Sequence, residues 1–465
     1  MVQCRVTQMR LDFSLIPLKN RAFSEKPMTF VDPETNNFLS AVVELAAIET
    51  GSRTAREHWQ QKQLQNLLAY CVQRSAFWRK KIGTANIKSV RLSDIPVFTR
   101  ADLIKQVESE GALIRSNEAG QLTKHATSGS SGTPVQFFIS DRNSRYNLAR
   151  SVAQYFMEGR DLALNRTRLK SRPVPGRIGY VTARKSHHWL GPLENFVRSG
   201  TNKQIEYFNP DVAALCKELE RDRIGYLIAQ PRIIEVMLQS VEPEFFTAAG
   251  TAMLLPVAEA LDPRLRDVFS AIGIPVRSSY SSEEVGLIGS ECETIAGSYH
   301  IATSNVIVEV TGEDRLQLNG KAVGRVLVTH LHSYATPFIR YDIGDVAALG
   351  ENCACGHDGP VLTNIYGRAK SLLKHPGGRV STFYVRGKEL AAVARFDEFR
   401  IRQTDFKNIV VEIGGRESLS PEETAALGTV IRSHAGDEFE IEIRPVVKIA
   451  WGNNIKQLGF ESEVS

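Results

Sequence analysis

The sequence predicts an α/β protein: a large N-terminal domain of layered α/β sheets with a distorted antiparallel β unit, then a small α+β C-terminal domain. Three observations predict it. Between residues 205 and 280, short apolar runs at 226–229, 252–255 and 274–276 alternate with helical patterns, the rhythm of layered sheets with a substantial parallel component. Between 304 and 349, the runs Val306-Ile307-Val308-Glu309-Val310, Arg315-Leu316-Gln317-Leu318 and Gly324-Arg325-Val326-Leu327-Val328-Thr329 are separated only by Gly312-Glu313-Asp314 and Asn319-Gly320. Both separators are hairpin signals. Beyond Gly367-Arg368, β-type runs at 409–413 and 439–444 surround a helical segment at 421–435.

In chain order, residues 1–27 carry Arg and Lys but no sustained apolar stretch, so no secretory signal is expected there. Met28 precedes the first patterned segment, and 1–27 is expected to be a disordered extension or a product of start-site choice. The first clear helix starts near Thr54, where Thr54 and Glu57 have capping-box spacing and Leu64, Leu67, Leu68, Cys71 and Val72 follow at helical period. Cys71 sits on that stripe and is expected in the core. A second helix start reads at Thr99-Arg100-Ala101-Asp102, after the Pro96 breaker. At 465 residues the chain exceeds one core, and the expected division is 28–369 and 370–465.

Composition excludes several classes. The net charge of +5 arises from 57 basic and 52 acidic residues spread along the chain, too thin an excess to argue for nucleic acid. No apolar run approaches the ~18 residues of a membrane span, so no membrane insertion is expected. Six cysteines in so long a chain make no disulfide framework, and a reducing cytoplasm is the expected location.

Four segments could carry chemistry. In Thr127-Ser128-Gly129-Ser130-Ser131-Gly132-Thr133-Pro134 every position is Gly, Pro or a hydroxyl residue. Its hydroxyls and closely approaching backbone N–H groups suit phosphate oxygens, although the Walker spacing and lysine are absent and a flexible linker has the same composition. In Tyr280-Ser281-Ser282-Glu283-Glu284-Val285-Gly286 a tyrosine at a strand end can stack on a base and a carboxylate can hold Mg²⁺; a solvated acidic turn is the plain alternative. Asp345, after Gly344, can accept two hydrogen bonds from a ribose diol, or be simple turn chemistry. In Ile365-Tyr366-Gly367-Arg368-Ala369-Lys370, Arg368 can meet a phosphate or a surface carboxylate.

A fifth cluster suits a metal. Cys353-x-Cys355 with a following Gly356-His357 turn, joined by Cys292 and His300, offers four ligands of the kind tetrahedral Zn²⁺ takes. His357 competes with His300 as the nitrogen ligand, and three reduced cysteines in a β-rich region is the alternative. His187-His188 reads as two neighbours on one strand facing opposite ways, without a metal role.

Together, in this order, these segments resemble the adenylate-forming superfamily of acyl-CoA ligases, peptide-synthetase adenylation domains and luciferases. The likeness is strongest to the phenylacetate–CoA ligase family and its relatives in capsular-polysaccharide gene clusters. It is carried by Tyr299-His300-Ile301, by 305–310, by Thr329-His330-Leu331-His332-Ser333-Tyr334-Ala335-Thr336-Pro337-Phe338-Ile339-Arg340-Tyr341, and by Cys353-Ala354-Cys355-Gly356 ahead of Gly367-Arg368. It spans roughly residues 85–465.

The resemblance implies ATP, Mg²⁺ and coenzyme A, and it implies roles. Thr127, Ser128, Gly129, Ser130, Ser131 and Gly132 would cover the ATP phosphates. Tyr280 would flank adenine, with Ser281 beside it in the ATP/AMP-binding set, Glu284 would ligate Mg²⁺, Asp345 would hold the ribose, and Arg368 would lie near the ribose and α-phosphate. Lys370 would be the hinge of a mobile C-terminal lid. Phe460, Ser462 and Val464 align the end of the chain so that Lys456 becomes the lysine contacting the acyl carboxylate and α-phosphate. Some members of this branch have a comparable structural zinc. The chain departs from the pattern at Val135, Ser281, Glu283, Ile343 and around 451–455.

The expected activity is therefore ATP-dependent conversion of a small aromatic carboxylic acid to acyl-AMP, then acyl transfer to coenzyme A. Transfer to an amine or a carrier protein after the same first step is one alternative. A degenerate nucleotide-binding protein without ligase activity is the other. The walls of the acid pocket are expected between 150 and 255.

Overall fold

The computed structural model describes residues 33–83, 87–126, 135–172, 177, 179–195, 197–259, 261–318, 321–385, 387–450 and 459–464. The loop at 127–134 and Lys456 lie outside the described residues.

The first sheet has five strands in the order Tyr180–Ser186, Asn202–Phe208, Arg166–Ser171, Gly225–Ala229, Thr251–Pro256. All neighbours are parallel except the first pair. Because side chains alternate along a strand, Gly225–Ala229 feeds two cores at once. Leu227 and Ala229 join Leu169, Ile205, Phe246, Leu254 and Phe269 on one face. Tyr226 and Ile228 face the other, with Phe38 and Val42 of the helix Pro33–Thr50 and Val152 and Tyr155 of the helix Asp141–Met157. The run at 274–276, read as a strand, instead makes one isolated bridge, Val276 to Leu254.

The second sheet is antiparallel throughout, seven strands in the order Val306–Leu318, Lys321–His330, Tyr341–Gly350, Val361–Arg368, Tyr299–Ile301, Gly286–Glu291, Ser279–Ser282. It packs on the helices Arg53–Arg74, Ala76–Ile82 and Arg100–Glu110 through Leu64, Leu67, Leu68, Trp78, Phe98, Leu103, Val326, Val328 and Phe338. The expected hairpin turn at Gly312-Glu313-Asp314 is absent. One strand runs through it, and the positive φ of Gly312 (79°) is absorbed as a register shift between Thr311 and Leu316. Asn319-Gly320 lies outside the described residues, but Leu318 and Lys321 on either side pair with each other.

Helix starts partly follow the local chemistry. Thr99 caps Arg100–Glu110 with Asp102 as the reciprocal partner. The helix read from Thr54 begins at Arg53 instead: Ser52 accepts from the Ala55 amide, and Glu57 pairs with Arg53, not with a cap. The preceding helix, Pro33–Thr50, was not expected. Cys71 is fully buried, as its position on the stripe predicted. The strand before His187 ends at Ser186, so the two histidines are not strand neighbours, and His188 pairs with Glu194.

Residues 373–460 contain their own core, including Leu373, Ile401, Ile409, Leu427, Ile431 and Phe460. It lies between the helix Pro421–Ala435 and a four-stranded mixed sheet in the order Glu440–Val446, Asn408–Gly414, Glu398–Gln403, Phe460–Ser462. Among the described residues, no helix is long and apolar enough to cross a membrane.

Candidate active site and metal centre

Strand pairing brings three of the candidate residues together. Asp345 and Arg368 are opposite each other on Tyr341–Gly350 and Val361–Arg368, and Arg368 Nε lies 3.3 Å from Asp345 Oδ1. Arg368 Nη1 also donates to the carbonyl of Ile343 at 2.5 Å, fixing the guanidinium across the strand. From the far side of the sheet's end, Tyr280 donates its hydroxyl to Asp345 Oδ2 at 2.8 Å. Burial and the neighbouring Asp345 charge hold the Tyr280 phenol well above its usual pKa, so it stays a donor. A carboxylate offers about four acceptor positions. Tyr280 meets one oxygen and Arg368 the other, the donor geometry of a carboxylate that can also take a diol.

Glycines shape this corner. Gly344 (φ 81°), Gly367 (φ 79°) and Gly286 (φ 68°) all have left-handed backbone beside the named side chains. A Cβ at Gly344 would lie 3.2 Å from Arg368 Nη1, so glycine lets the arginine cross.

Glu284 is half-buried in the turn between Ser279–Ser282 and Gly286–Glu291. Tyr341 donates its hydroxyl to Glu284 Oε1 at 3.5 Å, and burial together with the Glu284 charge raises the Tyr341 phenol. Tyr341 is itself set by Arg340, whose φ of 50° is pinned by hydrogen bonds to Glu309 (3.0 Å) and to the carbonyls of Ser93 (3.2 Å) and Ile95 (2.5 Å). A single half-buried carboxylate suits Mg²⁺, which keeps most of its water and takes few protein ligands. Ser281 lies on Ser279–Ser282 with an exposed side chain. Arg340 and Tyr341 belong to a motif of the sequence that does not by itself assign them a role, because the left-handed backbone of a non-glycine residue is not legible in the sequence.

The phosphate-loop candidates, Thr127 to Gly132, fall outside the described residues. The strands on either side, Leu122–Ala126 and Gln136–Ser140, pair antiparallel. The strand pair is held against the segment that leads to Arg340 and Tyr341: Phe138 N donates to Thr336 Oγ1 at 3.0 Å and Phe137 packs edge-on to Phe338. Lys370 lies in the 3₁₀ turn Ala369–Ser371, exposed, with Nζ 3.4 Å from Glu461 Oε1.

The cysteine cluster converges. Ligand atoms of Cys292, His300, Cys353 and Cys355 all lie within 4.8 Å of one another, and Cys355 Sγ is 3.4 Å from His300 Nε2. A tetrahedral Zn²⁺, with bonds near 2.0–2.3 Å, needs ligand separations of roughly 3.5–4 Å, so the set fits one ion after small adjustment. Backbone amides of Ile295 and His357 donate to Cys292 Sγ and Cys355 Sγ, each at 3.4 Å. Burial raises the Cys292 thiol, but hydrogen bonds from Thr294 and Ile295 outweigh it and lower the pKa. Burial and the adjacent Cys353 and Cys292 push Cys355 up to about 12. Three crowded sulfurs with a neutral His300 are what a divalent ion stabilises. His357 does not enter this set. It stacks on His300 with ring centroids 4.1 Å apart.

One buried pair makes stability depend on acid. His332 has its pKa lowered to about 4, chiefly by burial, and His330, fully buried, is held well below its ordinary value. Unfolded, each binds its proton near pH 6.5, so the unfolded chain holds more protons between pH 6.5 and 4 and stability falls as pH falls through that window. The His332 contribution is about 3 kcal/mol. Melting temperature measured from pH 7 to 4.5 should drop, and His332→Gln should flatten the profile. A variant profile as steep as that of wild type would assign the acid sensitivity elsewhere.

No protein-family model matches the sequence, and no curated protein does. Solved structures do. A 2-hydroxyisobutyryl-CoA ligase in the postadenylation state, in complex with R3-HIB-AMP, is similar with a TM-score of 0.59 and 18% identity, over 90% of this chain and 91% of that one. An open conformation of 2-hydroxyisobutyryl-CoA ligase with 2-HIB-AMP and CoA gives a TM-score of 0.54 at 18% identity, over 89% and 93%. Nearly the whole length of both chains is covered, so the likeness concerns the full architecture, and the phenylacetate–CoA ligase branch is not singled out by it. The chain has the fold of the adenylate-forming CoA ligases.

Proposed function

We propose that the chain is a ligase that activates a small aromatic carboxylic acid with Mg-ATP and passes the acyl group to coenzyme A. The observation that carries this is the Tyr280–Asp345–Arg368 constellation, with Glu284 held by Tyr341 beside it, in a fold shared with a CoA ligase solved with 2-HIB-AMP and CoA. A carboxylate resists acyl transfer because oxide would have to leave. In the first step a carboxylate oxygen attacks the α-phosphorus of ATP, the bond to the β-phosphate oxygen breaks, and pyrophosphate departs. In the second, a thiolate attacks the acyl carbon, the bond to the AMP oxygen breaks, and AMP leaves.

Each residue answers one need of that chemistry. Asp345 accepts from the ribose hydroxyls, Tyr280 packs against the base, and Arg368 offsets charge near the α-phosphate. Glu284 ligates the Mg²⁺ that neutralises the phosphates. The 127–132 loop covers the β- and γ-phosphates. Residues 28–369 and 370–465 are the two domains, with Lys370 as hinge and Lys456 acting in the first step. A structural Zn²⁺ held by Cys292, His300, Cys353 and Cys355 closes the turn ahead of Val361–Arg368, the strand that ends in Arg368.

The product pair is the test. Incubation with ATP, Mg²⁺, CoA and a panel of carboxylic acids should yield AMP and pyrophosphate, in amounts that depend on the acid. ADP and phosphate in their place would exclude the mechanism, whatever the substrate.

A further inference from the structure

The helix Asp141–Met157 carries an arginine where its neighbours are core. Ala149, Val152, Ala153 and Tyr155 are buried among apolar residues, and Arg150 is only 4% exposed. Arg150 Nη2 donates to Asn147 Oδ1 at 2.5 Å, while Nη1 is buried with no partner among the described residues. Burial lowers its pKa to about 10, with Tyr146 and Glu49 the groups that oppose this. Glu49 is committed elsewhere: its two oxygens accept from the amides and hydroxyls of Thr303 and Ser304 at 2.5–3.2 Å. A guanidinium taken out of water with no carboxylate bound to it is strongly disfavoured.

The position of this charge is informative. A Cβ built on Gly286 would lie 3.8 Å from Arg150 Nη2 and 3.7 Å from Asn147 Oδ1, so the guanidinium abuts the segment that carries Tyr280 and Glu284. Two neutral histidines share the region. His332 lies 3.9 Å from Tyr146 between ring centroids and directs Nε2 to the Ser304 carbonyl at 2.9 Å. His330 is 1% exposed, and both its ring nitrogens lack a partner among the described residues. Arg150 acts electrostatically on both rings. Unsatisfied donors and an uncompensated positive charge thus gather beside the candidate active site, which is what a recognition site for an anion looks like before the anion arrives.

We propose that Arg150 is the specificity-determining residue of the acid pocket, and that the acid it selects carries a second carboxylate, which Arg150 binds. This rests on the reading above that the chain activates a carboxylic acid. The reacting carboxylate is the poorer candidate for this arginine. A guanidinium fork stabilises an anionic oxygen most while its charge is intact, and that oxygen must give up charge to phosphorus in the transition state. A spectator carboxylate keeps its charge throughout, so Arg150 can hold it through both steps. A monocarboxylic acid of the same length leaves the guanidinium unpaired, and sites built on a polar contact reject analogues lacking it.

The experiment uses matched pairs: succinate against butyrate, glutarate against pentanoate, and homophthalate against phenylacetate. For each, kcat/KM is measured by AMP release, and direct binding by calorimetry without ATP, with wild type, Arg150→Met and Arg150→Lys. Wild type should favour at least one diacid over its partner by at least about 100-fold. Arg150→Met should abolish the preference, and Arg150→Lys should restore part of it. Melting curves report whether each variant folds; if Arg150→Met does not, wild-type selectivity and Arg150→Lys decide. Efficient turnover of monoacids with no diacid preferred or bound overturns the proposal and leaves the ligase reading intact. Equal loss on both members of each pair in Arg150→Met also overturns it. Diacid binding that depends on Arg150, with no AMP from any acid, supports the anion site and refutes the ligase reading. Neither binding nor turnover refutes both.

Discussion

Lys456→Ala is expected to slow acyl-adenylate formation by roughly 10²–10³-fold or more, the scale of losing one preorganised charge contact in a transition state. Thioester formation from synthetic acyl-AMP and coenzyme A should survive. The split follows from the role assigned by resemblance: a lysine that bridges the acyl carboxylate and the α-phosphate is needed while the anions combine, and not afterwards. Its position relative to Phe460, Ser462 and Val464 motivates the choice. Lys456 itself lies outside the described residues, but the chain on both sides is tied to one strand. Arg400, on Glu398–Gln403, donates to the Ala450 carbonyl at 3.0 Å, and Ile401 of the same strand donates to the Gly459 carbonyl at 3.0 Å. ATP–pyrophosphate exchange measures the first step and CoA-dependent consumption of acyl-AMP the second. Wild-type exchange in the variant would give the role to another residue.

The sheets were legible because their signals are local. Apolar runs at 226–229 and 252–255 and the reciprocal cap at Thr99 and Asp102 need only a few residues to be read, and each forms where the pattern puts it. The misread features depended on distant partners. Thr54 and Glu57 have the right spacing for a cap, but Arg53 offers Glu57 a better partner, and Ser52, two residues earlier, takes the N-cap. Gly312-Glu313-Asp314 is turn chemistry that a long strand absorbed as an irregularity, since pairing resumes on both sides of it with Lys321–His330. The convergence of Tyr280, Asp345 and Arg368 was legible as an ordered set of motifs, although spacing alone left each with a plain alternative. Arg150 was not legible at all. An arginine in a helix is ordinarily a solvated face, and only the folded chain, which sets Gly286 beside its guanidinium, reveals that it is buried.

Removing the metal should cost the fold more than any single side chain in the nucleotide site. Protein purified without chelator should contain about one zinc per chain. Cys353→Ser should lose it and lower the melting temperature by roughly 10 °C, because a closed metal site contributes its binding energy to folding. The geometry separates the two candidate histidines. His300 Nε2 lies 3.4 Å from Cys355 Sγ inside the converging set, whereas His357 stacks outside it and gives Cys355 only its backbone amide. His300→Ala should therefore release the metal and His357→Ala should retain it. The destabilisation should propagate, since Cys353 and Cys355 precede Val361–Arg368, the strand that pairs with Tyr341–Gly350 and sets Arg368 against Asp345. Chelated wild type should accordingly bind nucleotide more weakly as well as melt earlier. Metal-free protein with unchanged melting temperature would mean that three reduced cysteines pack there as ordinary core, and retention of zinc by His300→Ala together with its loss from His357→Ala would reverse the ligand assignment.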